Sequence, residues 1–126
     1  MNARRKIGIP PIITVEIGGP NAVKDVDALI DTGSTYCVIS LDDAIGIGYE
    51  PWKAEAVPVG TASGMITVSL IKVGSVKVLG LEIANVETLA KDLTDVGVDA
   101  VIGWSFLKHF KFCFDSEGGV FEMKEL

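Results

Sequence analysis

Ala28-Leu29-Ile30-Asp31-Thr32-Gly33-Ser34 is the stretch on which the fold turns: an apolar run that ends on a carboxylate, a small hydroxyl residue, a glycine and a second hydroxyl. A short apolar run bounded by turn residues reads as a buried strand, so the carboxylate stands where a strand stops. Glycine lets neighbouring backbone approach closely, and the threonine and serine hydroxyls can bond locally to the main chain. Taken alone, Asp-Thr-Gly is three common residues, and an ordinary Asx turn leaving a strand explains it equally well.

The surrounding chain has the cadence of an all-β barrel or sandwich, with short apolar runs broken every eight to twelve residues or so by glycine, proline or Asp-Ser signals. Ile12 to Ile17 reads as the first strand, closed by the turn Gly18-Gly19-Pro20-Asn21. The basic Arg4-Arg5-Lys6 ahead of it is expected to fray, which makes residues 1–11 a flexible N-terminal segment and 12–126 the folded domain. After Val38 and Ile39, Ser40-Leu41-Asp42-Asp43 fits a short helix with Ser40 as N-cap and acidic residues in the first turn.

Ala54 to Val59 and Met65 to Val73 alternate as strands and are joined by Gly60-Thr61-Ala62-Ser63-Gly64, a composition suited to the tip of a mobile hairpin. Ser75 to Val78 and Leu81 to Thr88 form a further pair around Leu79-Gly80, followed by a polar loop from Ala90 to Val98. Ala100-Val101-Ile102-Gly103 is a short buried strand closing on glycine, and Ser105 to Phe110 has helical spacing. Lys111 to Asp115 and Val120 to Lys124 flank the turn Ser116-Glu117-Gly118-Gly119.

Three ordered segments carry a resemblance. Ala28-Leu29-Ile30-Asp31-Thr32-Gly33-Ser34 resembles the catalytic signature of the retroviral-type, retropepsin-like aspartic proteases and their bacterial, archaeal and eukaryotic relatives. Val59-Gly60-Thr61-Ala62-Ser63-Gly64 resembles the tip of that family's flap, and Val101-Ile102-Gly103 its downstream hydrophobic-hydrophobic-Gly segment. Trp104-Ser105-Phe106-Leu107-Lys108 resembles the helix that follows, so the likeness runs from about Ile12 to Met123. It implies a single-domain retropepsin-like barrel with a flap hairpin and one short C-terminal helix.

The resemblance also implies roles. Asp31 would be the catalytic carboxylate, Thr32 would clasp its mate across a two-fold axis, and the backbone at Gly33 would help orient the carboxylates. Thr61, Ala62, Ser63 and Gly64 would close over bound peptide, and Val101, Ile102 and Gly103 would lie beneath the site. Two departures, Ser34 where viral members usually carry alanine and Trp104 where they usually carry a basic residue, point toward the cellular relatives. A Ser34 hydrogen bond to the carboxylate would favour its charged form and an acidic optimum.

Hydrolysing a peptide without metal or covalent intermediate requires one group to take a proton from water and another to protonate the carbonyl or the leaving amine. Two adjacent carboxylates sharing a proton can do both, yet Asp-Thr-Gly occurs once. Asp99 and Asp115, the other acids in apolar surroundings, are not followed by a comparable glycine turn. One chain thus supplies half a dyad, and completing it requires a second copy about a two-fold axis, a homodimer.

Other features are read blandly. Net charge of -6 with scattered basic residues argues against nucleic acid, and no apolar run is long enough to span a bilayer. Pro10, Pro11 and Glu16 interrupt any signal-peptide pattern, so a cytoplasmic protein is expected. Cys37 and Cys113 are expected as buried free thiols, and neither they nor Asp42-Asp43 has the companions of a metal site, so no metal or cofactor is assigned. His109 is taken as an exposed or helix-capping residue, Asp115 as a turn residue, and Trp52 and Trp104 as packing elements.

Three functional classes meet these features: an aspartic endopeptidase acting on peptides or unfolded proteins, a non-catalytic peptide-binding or assembly module of the same fold, and a phosphate-handling enzyme. The last uses Asp-x-Gly-Ser or Asp-x-Gly-Thr loops only in much longer two-domain chains, and no nucleotide loop is present.

Overall fold

Ile13, Val15 and Ile17 are buried while Ile12 and Thr14 are exposed, the period-two pattern that gives a strand one core face. The computed structural model describes residues 2–126 and repeats this logic along the chain. In order, it forms β1 (Asn2–Lys6), β2 (Ile12–Gly18), β3 (Val23–Ile30), β4 (Cys37–Ser40), α1 (Leu41–Gly46) and a 3-10 turn (Pro51–Lys53). There follow β5 (Glu55–Thr61), β6 (Gly64–Val78), β7 (Leu81–Lys91), β8 (Ala100–Ile102), α2 (Trp104–Leu107), β9 (Phe110–Asp115) and β10 (Val120–Glu125).

The strands β2-β3-β8-β4-β7-β6 are hydrogen-bonded in that order, and β6 returns to pair with β2 through Gly18↔Ser75, Ile17↔Val76 and Glu16↔Lys77. The ring is thereby closed into a barrel, which leaves few unpaired edges. β5 stands outside the ring and pairs only with β6, from Glu55↔Leu70 to Thr61↔Gly64. The fold is an all-β barrel, as expected, with two short α-helices.

β6 is one 15-residue strand where two were expected. Gly74 reads as a breaker in sequence, but here the strand continues through it: the ladder to β7 skips Gly74 and Asn85 and resumes in the same register, and Asn85 takes a φ of 56°. The N-terminal half of β6 serves the hairpin and the C-terminal half closes the barrel. Tyr49 secures this junction, since its hydroxyl donates to the Gly18 carbonyl (2.8 Å) and accepts from the Gly74 N–H (2.8 Å).

The segment expected to fray is instead β1, paired along Asn2↔Lys124 to Lys6↔Val120 in a second sheet of order β1-β10-β9. Ala3 packs on the core, the Ile7 and Gly8 N–H groups both donate to Gly119 O, and exposed Arg4 lies 3.7 Å from Glu122. A polar, basic strand carries no apolar-run signal, and its charges suit a sheet edge. Ser40 caps α1 as expected, accepting from the Asp43 N–H at 3.1 Å. Residues expected to continue α2 to Phe110 turn into β9, whose Phe110, Phe112 and Phe114 face the interior. No described helix is long and apolar enough to cross a membrane.

A large core fills the barrel and the cleft beneath the second sheet, with Phe106, Phe121, Ile39 and Ile102 fully buried. A smaller cluster of Val38, Val68, Leu89, Leu93 and Val101, with Tyr36, Val57 and Val59 against it, lies under the hairpin. Leu93 shows that the stretch read as a polar loop contributes to packing. Cys37 is buried, as expected, whereas Cys113 is exposed on the outward face of β9, because alternation gives the inward positions to its phenylalanine neighbours.

Two measurements follow from this packing. Tyr49→Phe removes both ends of the barrel-closing bridge and should cost about 1–3 kcal/mol in urea unfolding, with an unchanged denaturant slope. Burial raises the Cys37 thiol above its usual range, keeping it neutral as well as enclosed. One thiol per chain, Cys113, should therefore react with a disulfide reagent under native conditions, and a second only on unfolding.

Candidate active site

Asp31 is the first residue past β3, and its position is set by the strand beside it. β3 and β8 run parallel in the register Ala28↔Ala100, Leu29↔Val101 and Ile30↔Ile102, and the Asp31 N–H extends that ladder to Ile102 O at 2.9 Å. The chain then turns: the Ser34 N–H reaches Asp31 O at 3.2 Å, and the Gly33 N–H donates to Asp31 Oδ1 at 2.8 Å. Asp31 and Ser34 are half-buried, whereas Thr32 and Gly33 are exposed. A carboxylate thus stands at the end of β3, held by a backbone donor and open to solvent on one side.

Gly103 makes the floor. A β-carbon there would lie 2.4 Å from Tyr36 O and 2.5 Å from Ser34 O, closer than any side chain tolerates. Because nothing intervenes, the Trp104 N–H bonds Ser34 O and the Ser105 N–H bonds Thr35 O, each at 2.9 Å, while Ser105 Oγ accepts from the Cys37 N–H at 2.8 Å. Val101 and Ile102 are buried beside this seam. The Asp31 loop and the Val101-Ile102-Gly103 segment, 70 residues apart in the chain (101 against 31), are one structural unit.

Two expectations are corrected here. The Ser34 hydroxyl donates to Tyr36 O at 2.6 Å rather than to the Asp31 carboxylate, so its proton is committed to the loop backbone and the argument for an acidic optimum through Ser34 lapses. Neither tryptophan is a core element: Trp52 is 67% exposed, and Trp104 is 42% exposed with its indole N–H donated to Thr32 O at 2.6 Å. His109 is exposed, and the Asp115 carboxylate accepts from Glu117 and Gly118 N–H groups in its turn, both as read from sequence.

A cleft of about 440 Å³ opens beside the loop, lined by Asp31, Gly33, Ser34 and Thr35 on one side, Pro58, Val59 and Gly60 on the other, with Tyr36 and Leu89 between. Asp31 is the one carboxylate among these residues. The hairpin forms as expected, with Ala62-Ser63 as a two-residue turn and Thr61 Oγ1 donating to Gly64 O at 2.7 Å. Its tip residues Thr61, Ala62, Ser63 and Gly64 are exposed and do not line the cleft, which is walled by Pro58, Val59 and Gly60, the residues of β5 just before the tip. Tyr36, Pro58 and Leu89 carry no recognisable motif and are brought to the site only by the pairing of β4, β5, β6 and β7.

A second cavity, of about 510 Å³, lies between α1 and residues 92–99 and holds Asp42, Asp43, Asp92 and Asp99. Two of its carboxylates are engaged: Asp43 pairs with Lys24, and the Thr94 hydroxyl and then its N–H hold the Asp92 carboxyl below its usual range. Among the described residues no group of histidine, cysteine and acidic side chains is arranged to hold a metal.

The close approach at Gly103 can be tested directly. Gly103→Ala forces a β-carbon into two backbone carbonyls and should cost about 3 kcal/mol, the upper part of the overpacking range. Amide resonances of Asp31, Trp104 and Ser105 should shift in the surviving folded fraction.

Comparison with known proteins agrees with this geometry. The crystal structure of a retropepsin-like aspartic protease from Rickettsia conorii aligns with a TM-score of 0.70 at 22% identity, over 97% of this chain and 98% of that one. No curated protein sequence matches the chain significantly. A family model described as aspartyl protease matches residues 13–106, which take in β2, the Asp31 loop, the hairpin and the Gly103 floor. With most of its length matched and the retropepsin-like fold in place, the chain belongs to the aspartyl protease family.

Proposed function

We propose that the protein is an aspartic endopeptidase that works as a homodimer, with Asp31 of each subunit forming the catalytic pair. The observation that carries this reading is a cleft of peptide-accommodating size that contains a single carboxylate, at the end of β3 and within an exposed Asp-Thr-Gly loop. Two like carboxylates about 3 Å apart cannot both ionise cheaply, so they share a proton, an effect for which aspartic proteases are the standard illustration. The ionised member then draws a proton from water as it attacks the scissile carbonyl, and the protonated member supplies one to the substrate oxygen or the leaving amine.

The remaining parts support that chemistry. Gly33 N–H, already on Asp31 Oδ1, fixes the carboxylate without a second charge. Thr32, exposed beside it, is the residue we assign to contact across the axis. The β5–β6 hairpin extends past the cleft, with Met65 and Ile66 exposed near its tip, and we assign Thr61 to Gly64 to close over an extended peptide and exclude water.

The test is cleavage of a diverse peptide library from pH 3 to 8, alone and with a transition-state inhibitor of aspartic peptidases. Asp31→Asn should lower the rate by about 10²–10⁴-fold while sedimenting as the same dimer. Specific activity should also fall on dilution below the dimer dissociation constant. Equal cleavage by the mutant would refute the catalytic assignment, and full activity from a strict monomer would refute the shared pair.

A further inference from the structure

We propose that Trp104 is a positioning residue for the Asp31 carboxylate, acting through the Thr32–Gly33 peptide, an inference that rests on the peptidase reading above. The two ends of that one peptide unit are engaged in opposite directions. Its carbonyl, Thr32 O, accepts the Trp104 indole N–H at 2.6 Å, and its amide, the Gly33 N–H, donates to Asp31 Oδ1 at 2.8 Å. Rotating the peptide about its flanking bonds would move both contacts together, so the indole sets the direction from which the carboxylate receives its donor. Hydrogen bonds in series also polarise one another, and a donor on the carbonyl makes the amide at the other end a better donor.

Thr32 and Gly33 are exposed, and this part of the loop lies beyond the β3–β8 ladder, which ends at Asp31 N–H. The indole, carried on α2, supplies this peptide with a side-chain tie that is itself backed by the second sheet. Its ring rests against Phe112 of β9, with centroids 5.7 Å apart and planes at 56°, and Phe112 in turn packs on the fully buried Phe121 of β10. Its own backbone N–H holds Ser34 O at 2.9 Å. Trp104 thus grips the loop on both sides of Gly33, from a base anchored outside the barrel.

Trp104→Phe keeps a ring for Phe112 and removes the N–H donor, together with one of the two fused rings. It should lower kcat by about ten- to a hundredfold, the scale on which misplaced catalytic groups act, with KM, dimer sedimentation and thermal midpoint nearly unchanged. Phe112→Leu keeps the donor but removes its wall, and should give a smaller kcat loss of the same kind. A loss explained by a reduced folded or dimeric fraction, or an unchanged kcat in Trp104→Phe, would overturn the proposal.

A readout independent of turnover separates this proposal from the peptidase reading. In Trp104→Phe the Gly33 amide proton should move upfield and exchange faster, while in the wild type the Trp104 indole proton should exchange more slowly than that of Trp52. An unmoved Gly33 resonance would show that the indole does not hold the peptide, whatever the activity. Asp31→Asn with full activity, alongside a shifted Gly33 resonance, would instead remove the peptidase reading and leave the loop anchor standing.

Discussion

Everything at the open end of the barrel depends on how closely Gly103 passes beneath the carbonyls of Ser34 and Tyr36. A methyl group at that point would sit within van der Waals overlap of both oxygens, so only glycine allows the β8–α2 connection to approach the Asp31 loop. Once it does, three consecutive functions follow from backbone alone: Ile102 O receives the Asp31 N–H, Trp104 N–H takes Ser34 O, and Ser105 N–H takes Thr35 O. The loop is held largely by main-chain partners, which is how an exposed turn keeps a fixed geometry.

That seam exists because β8 is inserted between β3 and β4, parallel to one and antiparallel to the other. Three residues, Ala100, Val101 and Ile102, satisfy strands on both sides and are all buried, so the insertion costs no exposed edge. Barrel closure is a separate matter, handled at the far end of β2 by its pairing with β6 and the Tyr49 bridge. Because β6 serves both closure and hairpin, the cleft wall formed by β5 is carried on a strand that the barrel itself holds in place.

What could be read from the sequence was whatever a local pattern encodes. The strand ending at Asp31, the Ser40-capped helix, the hairpin around Ala62-Ser63 and the Val101-Ile102-Gly103 segment each announce themselves within a few residues, through alternation, capping or turn chemistry. β1 was illegible because Arg4, Arg5 and Lys6 form an edge whose partner, β10, lies more than a hundred residues on. Gly74 reads as a stop because a glycine inside a strand and one that ends it have the same letter. Trp104 is half legible: a large aromatic in a β-rich chain reads as packing, which its contact with Phe112 bears out, but only the fold shows that it is exposed and that its N–H meets Thr32 O. Tyr36, Pro58 and Leu89 come together from three separate strands or their approaches, a conjunction with no signature along the chain.

The site's chemistry depends on the same distinction between local and assembled features. A single carboxylate bonded by one backbone N–H is an acid like many others, and nothing in one chain obliges it to share a proton. Sharing arises only when a like charge is forced close in a partly water-excluded place, where the cost of ionising both exceeds the cost of holding one proton between them. On the proposed reading, the fold therefore prepares direction rather than reactivity: the Gly103 seam and the Thr32–Gly33 peptide aim Asp31 outward at the loop's exposed edge. The proton affinity that makes the pair useful belongs to the assembly, so the chain's chemistry would be switched on by its own concentration.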